Sequence, residues 1–235
     1  MITTIAFDAD DTLWQNETIF QESQAQLAQI LMEWETSEAI QRVITATELR
    51  NLPIYGYGIK AFTLSMIETA LAVSDGKVGA ETIEEILALG RSMLQAEVKL
   101  LPNVKETLLS LSGAYRLMMI TQGDLLDQTS KLSRSGLEGI FSLVEVLNQK
   151  TPEAYRAILK KHHLDLKTFL MVGNSLRSDI APVLALGAKA VHIPTQTTWE
   201  LELLDEFDPS QEGFYEIESL QALPTLIKKI NSQIS

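Results

Sequence analysis

The stretch MITTIAFDADDTLW (Met1–Trp14) decides how this chain is read. Residues 2–7 are mostly apolar or β-branched, the composition of a buried strand. Asp8, Asp10 and Asp11 then arrive within four positions, with only Ala9 between them and Thr12 behind. Carboxylates crowded at the end of a buried strand need a compensating partner or a task.

Working outward, two textures follow. Residues 16–98 are helical in pattern, with apolar positions three and four apart in FQESQAQLAQILMEW (20–34) and ETIEEILALGRSMLQAEV (81–98). One loop is predicted inside this region, RNLPIYGYGIKAF (50–62), with Pro53, Gly56 and Gly58 as breakers. From residue 99 strands and helices alternate. YRLMMITQGD (115–124), LVEVL (143–147), TFLMVGNS (168–175) and the end of SDIAPVLALGAKAVHI (178–193) read as strands. LPNVKETLLSLSGA (101–114), LDQTSKLSRSGLEGIF (126–141), TPEAYRAILKKHHL (151–164), the start of 178–193 and ESLQALPTLIKKI (218–230) read as helices. Continuous apolar strands alternating with helices indicate a parallel sheet covered on both faces. The expected fold is therefore α/β: a Rossmann-like three-layer core from residues 1–15 and 99–235, with an all-helical domain, residues 16–98, inserted after the first strand.

Composition narrows the function. With 235 residues, 46% of them hydrophobic, the chain can bury one substantial core and a smaller companion. A formal net charge of −12 argues against nucleic acid or an anionic membrane as partner, and an anionic substrate needs a local cation to draw it in. There is no cysteine, which removes disulfides, thiolate catalysis and Cys-ligated zinc. Three histidines, His162, His163 and His192, are too few for a His-rich metal site. The N-terminus lacks the basic start of a signal peptide, and no window reaches the roughly 18 apolar residues of a membrane span. The expectation is a soluble cytoplasmic protein.

In parallel α/β sheets ligands bind beyond the carboxyl ends of the strands. Those ends carry Asp8, Asp10 and Thr12; Thr121, Gln122 and Gly123; Asn148 and Lys150; and Gly173, Asn174, Ser178 and Asp179. Two carboxylates two residues apart stay ionised side by side only beside a cation. With Asp179 and the Asn174 amide oxygen nearby, the cation expected is a hard one, most simply Mg²⁺. Mg²⁺, Lys150 and the hydroxyl of Thr121 together make a place for a phosphoryl group. One Asp can then act as nucleophile and a second as acid and base.

These residues resemble the haloacid dehalogenase (HAD) superfamily. DADDT (Asp8–Thr12) matches its DxDxT signature. MMITQGD resembles the second motif, QKTPEAY the third, and VGNSLRSDI the fourth. The resemblance implies Asp8 as nucleophile and Asp10 as general acid/base with its carbonyl on Mg²⁺. It implies Thr121, Gln122 and Lys150 as phosphoryl-binding residues, and Asp8, Asp10, Asn174 and Asp179 as the metal set. It also implies that 16–98 is a helical C1 cap. Asn174 departs from the pattern, because the family usually has an Asp there; an amide oxygen can ligate but brings no charge. The dehalogenases that name the family lack the second Asp, so Asp10 favours phosphoester hydrolysis. The implied function is a Mg²⁺-dependent phosphatase of a small phosphorylated metabolite. A phosphoglucomutase-like phosphotransferase and a non-catalytic binding protein are the alternatives, and oligomeric state is not legible.

Other residues carry weaker expectations. Tyr55, Tyr57 and Lys60 could face the site from the helical domain or pack within it. Asp11 is expected to be structural, Trp14 to pack where the two domains join, and His162 and His163 to lie away from the strand ends. The acidic stretch 200–214 reads as a solvated loop or short helix.

Overall fold

The computed structural model describes residues 1–195, 199, 204 and 206–234. Its six strands are β1 (Thr4–Phe7), β2 (Arg116–Gln122), β3 (Leu143–Leu147), β4 (Phe169–Gly173), β5 (Lys189–His192) and β6 (Phe214–Glu216). All pair in parallel, in the spatial order β3-β2-β1-β4-β5-β6. The chain begins in the middle of the sheet, builds β2 and β3 on one side, then crosses β1 to build β4 to β6 on the other. The order therefore reverses at β1, which opens a crevice at its carboxyl end.

The helices are α1 (Glu17–Ile30), α2 (Ser37–Tyr55), α3 (Ile59–Val73), α4 (Ala80–Gln95), α5 (Val104–Ser112), α6 (Leu125–Arg134), α7 (Pro152–Lys161), α8 (Ala181–Leu184) and α9 (Leu223–Ile234). Strand side chains alternate between two faces. Ile5, Phe7, Met119 and Val172 pack with Leu108 of α5 and Ile227 of α9. Ala6, Met118, Ile120 and Met171 pack with Ile158 of α7 and Val183 of α8 on the opposite face. Both faces are covered, which is why the strands read as unbroken apolar runs.

Helices α1 to α4 bury their own apolar cluster, with Leu27, Leu31, Ile44, Phe62, Met66 and Ile86 at its centre. The chain enters and leaves this block along two neighbouring segments. Gln15 N–H donates to the Lys99 carbonyl at 2.9 Å, and Leu101 N–H to the Leu13 carbonyl at 2.9 Å. Among the described residues no helix is long and apolar enough to cross a membrane.

Three sequence expectations are corrected. The loop drawn over 50–62 is helical as far as Tyr55, with Pro53 inside α2. Pro53 lies in the last turn, so its missing N–H costs the helix one bond near an end that frays anyway. The break is confined to Gly56 and Gly58, whose φ values of 74° and 107° suit glycine. The expected helix after residue 178 begins earlier, as a wide turn at Leu176–Ile180, before the four-residue α8. Finally, β6 begins at Phe214, within the stretch read as loop or short helix; three residues are too few to show a period. Residues 200–203 and 205 of that stretch lie outside the described residues.

Candidate active site

Asp8 sits one step past β1. Its N–H makes the last rung to the Val172 carbonyl at 2.9 Å. The chain then coils into a single turn, with Leu13 N–H donating to the Ala9 carbonyl at 2.8 Å. Asp11 takes a positive φ of 59° and spends its carboxylate on the amides of Asn16 (2.9 Å) and Glu17 (3.0 Å), fixing the start of α1. Asp8 and Asp10 are left facing the crevice, where they line one cavity.

The Asp8 carboxylate is buried and accepts on both oxygens. Lys150 Nζ donates to Oδ1, and Thr12 Oγ1 donates to Oδ2 at 3.0 Å. Lys150 immediately precedes Thr151, which caps α7 by accepting from Ala154 N–H at 3.2 Å. The same ammonium reaches Asp179 Oδ1 at 2.6 Å, and Asp179 Oδ2 accepts from Ser175 N–H at 3.1 Å. Asp179 lies so close under Gly173 that a Cβ there would fall 2.2 Å from its Oδ2.

One ammonium thus serves two buried carboxylates. Burial and the charge of Asp8 push Asp179 up to about 7, and burial pushes Asp8 up against the pull of Lys150. Burial works against the Lys150 charge, but Asp179 and Asp8 hold it well above the usual lysine value. Fully ionised, the two carboxylates would outnumber the ammonium, and a further positive charge beside Asp8 would favour that state.

Asp10 has partners that the sequence did not reveal. Lys131 Nζ lies 3.1 and 3.3 Å from its two oxygens and also donates to Asn16 Oδ1 at 2.8 Å. Gln128 Nε2 donates to Asp10 Oδ2 at 2.8 Å, and Trp14 Nε1 donates to Oδ1 at 2.6 Å. Lys131 and Gln128 are one turn apart on α6 and both buried. Their one sequence signal is position, since a Lys and a Gln on the inward side of an amphipathic helix are anomalous. Trp14, expected only to pack, is fully buried and also donates. Thr121 hydrogen-bonds to Gln128 Oε1 at 3.2 Å, so β2 joins the same network, and Gln122 Oε1 accepts from Lys150 N–H at 3.4 Å.

Asn174 follows β4. Its backbone N–H donates to Thr12 Oγ1 at 3.1 Å. One terminal atom of its amide faces Asp8 Oδ2 and the Asp10 carbonyl, each at 3.2 Å, and Thr12 Oγ1 at 3.1 Å. Thr12 has a single proton, already directed at Asp8, so all three facing atoms accept. The amide nitrogen is therefore assigned there, with two protons to share among the three acceptors.

The donor chemistry suits a hard cation such as Mg²⁺. A carboxylate oxygen of Asp8 and the carbonyl oxygen of Asp10 converge on one amide atom of Asn174, and the amide oxygen can take that place. Among the described residues no group of three or more His, Cys, Asp or Glu side chains is disposed to hold a metal. A cation here would draw on backbone and amide oxygens as well as on one carboxylate. Asp179, expected in the metal set, has its oxygens on Lys150 and Ser175 instead.

A cavity of about 140 Å³ runs from these residues to the helical block. At roughly 10–15 Å³ per water on that measure, it admits a phosphoryl group and a small leaving group. Its outer wall includes Glu17, Phe20, Gln24, Glu48, Tyr57 and Phe62. Burial and the Glu17 charge push Glu48 up to about 8, and burial and Asp11 push Glu17 up to about 7. Tyr57 faces the cavity beside Trp199, ring centroids 5.8 Å apart. Tyr55 and Lys60 do not line it, which corrects their expected place. Tyr55 donates to Glu68 on α3, and Lys60 pairs with Asp124, the N-cap of α6, at 3.0 Å. His162 pairs with Glu145, remote from the cavity.

Comparisons with known proteins give the family and the fold. The profile of haloacid dehalogenase-like hydrolases matches residues 2–187. The crystal structure of a haloacid dehalogenase-like family hydrolase from Xanthomonas campestris superposes with a TM-score of 0.88 at 34% identity, covering 99% of this chain and 93% of that one. The magnesium-bound HAD-hydrolase YfnB from Bacillus subtilis gives 0.69 at 17% identity, over 97% and 99% of the two chains, a likeness of fold. The N-acylneuraminate-9-phosphatase of Rattus norvegicus is 27% identical over 173 residues, 70% of this chain and 67% of that protein.

Proposed function

Because the chain belongs to the haloacid dehalogenase-like hydrolase family, we infer that it is a Mg²⁺-dependent phosphatase of a small phosphorylated metabolite. The observation that carries this reading is a buried Asp8 held by Lys150 and Thr12, with Asp10 two residues on, at the floor of one cavity. The similarity to N-acylneuraminate-9-phosphatases supports phosphomonoester chemistry.

Asp8 attacks phosphorus through its carboxylate oxygen, and the bond to the leaving oxygen breaks. Asp10 gives that oxygen a proton. The aspartyl-phosphate on Asp8 is then cleaved by a water that returns a proton to Asp10, releasing inorganic phosphate and regenerating Asp8. Lys150 steers the Asp8 carboxylate and neutralises charge on the transferring group. Lys131, Gln128 and Trp14 fix where Asp10 stands. Mg²⁺, held by Asp8, the Asp10 carbonyl and Asn174, would supply Lewis-acid charge to the phosphoryl oxygens.

The helical block acts as the cap. Glu17, Gln24 and Glu48 offer hydrogen bonds and Phe20, Tyr57 and Phe62 offer apolar faces, a mixture suited to a small hydroxylated leaving group. A phosphoester panel with Mg²⁺ tests the reading, with inorganic phosphate as the expected product. Sugar-phosphate isomers in its place would indicate phosphotransfer. Asp8→Asn should abolish turnover of a generic aryl phosphate, and retained activity would refute the mechanism.

A further inference from the structure

The Asn174 amide stands where the oxygens of Asp8 and Asp10 need a positive neighbour. One terminal atom of the amide lies 3.2 Å from Asp8 Oδ2 and 3.2 Å from the Asp10 carbonyl, and with no cation between them the hydrogen-bonding pattern assigns the nitrogen to that place. These are the two oxygens that any cation at this point would take first. The backbone of Asn174 cannot move aside. Its N–H is bound to Thr12, and its carbonyl lies 3.0 Å from His192 Nε2, while His192 Nδ1 is held by Glu216 at 2.9 Å. The freedom that remains is rotation of the terminal amide, a broad two-fold torsion.

We propose that Asn174 is a reversible cap on the cation position. Without metal its NH₂ group bridges Asp8 Oδ2 and the Asp10 carbonyl; with Mg²⁺ the amide turns over and presents Oδ1 as a third oxygen. An Asp at 174 has no NH₂ to donate and would set a third negative charge against Asp8 and Asp179. Asn therefore keeps the metal-free site satisfied and lowers metal affinity, because the cation must displace two internal hydrogen bonds and gains a neutral ligand. The cap is a property of this chain's own side chain. It rests on the metal-dependent reading above, and its readout is metal binding rather than turnover, so the two can fail separately.

The test is a titration of the full-length protein with MgCl₂, without substrate, following side-chain amide signals by ¹H–¹⁵N NMR. The Asn174 pair, assigned by its loss in Asn174→Ser, should be protected from solvent exchange without metal. It should shift and lose that protection as Mg²⁺ saturates. By calorimetry, Asn174→Asp should bind Mg²⁺ about tenfold or more tighter than the wild type, and its melting temperature should depend more steeply on Mg²⁺. Should Asn174→Asp fail to fold, the wild-type titration decides alone. Unmoved Asn174 signals at saturating Mg²⁺, or a folded Asn174→Asp with affinity within twofold of wild type, would overturn the proposal.

Discussion

At the scale of single residues, the account turns on how Asp10 is held. Lys131 is the one charged group among its three donors, and it is nearly inaccessible to solvent. Lys131→Met should lower kcat for a good phosphoester by about ten- to a hundredfold with a smaller change in KM, because it disturbs the acid/base and not the phosphate contact. Steady-state kinetics at saturating Mg²⁺ check this; an unchanged kcat would remove Lys131 from the mechanism. Glu48 makes a different prediction. Its ordinary value is 4.5, and in the folded chain burial and Glu17 push it to about 8. Between those values the unfolded chain has released the proton and the folded chain has kept it, so the residue costs stability as pH rises. Glu48→Gln should therefore melt higher than the wild type above pH 8, by roughly 1 kcal/mol or about 2–4 °C, with the gap closing towards pH 4. Asp8 and Asp10 were legible as site residues because they crowd one strand end. Lys131 and Gln128 were missed, because their one signal, a place on the inward side of α6, becomes plain only once the helix is docked.

At the scale of elements, strand ends and helix breaks do the positioning. The turn after β4 is possible because residue 173 has no side chain, leaving Asp179 room beneath it. Gly173→Ala should cost about 1–3 kcal/mol in denaturant unfolding and displace the Asp179–Lys150 pair, lowering activity further than the stability loss explains. Gly56 is a contrasting case. A Cβ there meets nothing, but its φ of 74° is left-handed. Gly56→Ala should cost about 1 kcal/mol from backbone strain alone, with the cavity intact. The sheet was legible in sequence because each central strand is an apolar run that stops at polar residues. The end of α2 was misplaced because Pro53 looks like a breaker, yet a proline in a last turn removes a bond that a fraying end loses cheaply. The edge strand β6 escaped notice because Phe214–Glu216 is too short to carry a pattern.

At the scale of the whole molecule, the net charge of the chain opposes the anionic substrate proposed for it. The net charge of −12 repels a phosphoester dianion at long range, while Lys150 and Lys131 act only inside the cavity. Raising NaCl from about 0.02 to 0.2 M should therefore raise kcat/KM about twofold at fixed free Mg²⁺, since the distant field is screened more than the buried cations. The reversal of strand order at β1, the helices above it and the four strand ends converge on one carboxylate, Asp8. Its chemistry can be caught directly. The protein is mixed with Mg²⁺ and a phosphorus-32-labelled phosphoester, quenched in acid within the first turnovers, and digested for peptide mapping. The label should reside on the peptide containing Asp8, be released by hydroxylamine as an acyl phosphate is, and be absent from Asp8→Asn. Turnover with no acid-stable label, or label on another residue, would contradict Asp8 as the nucleophile.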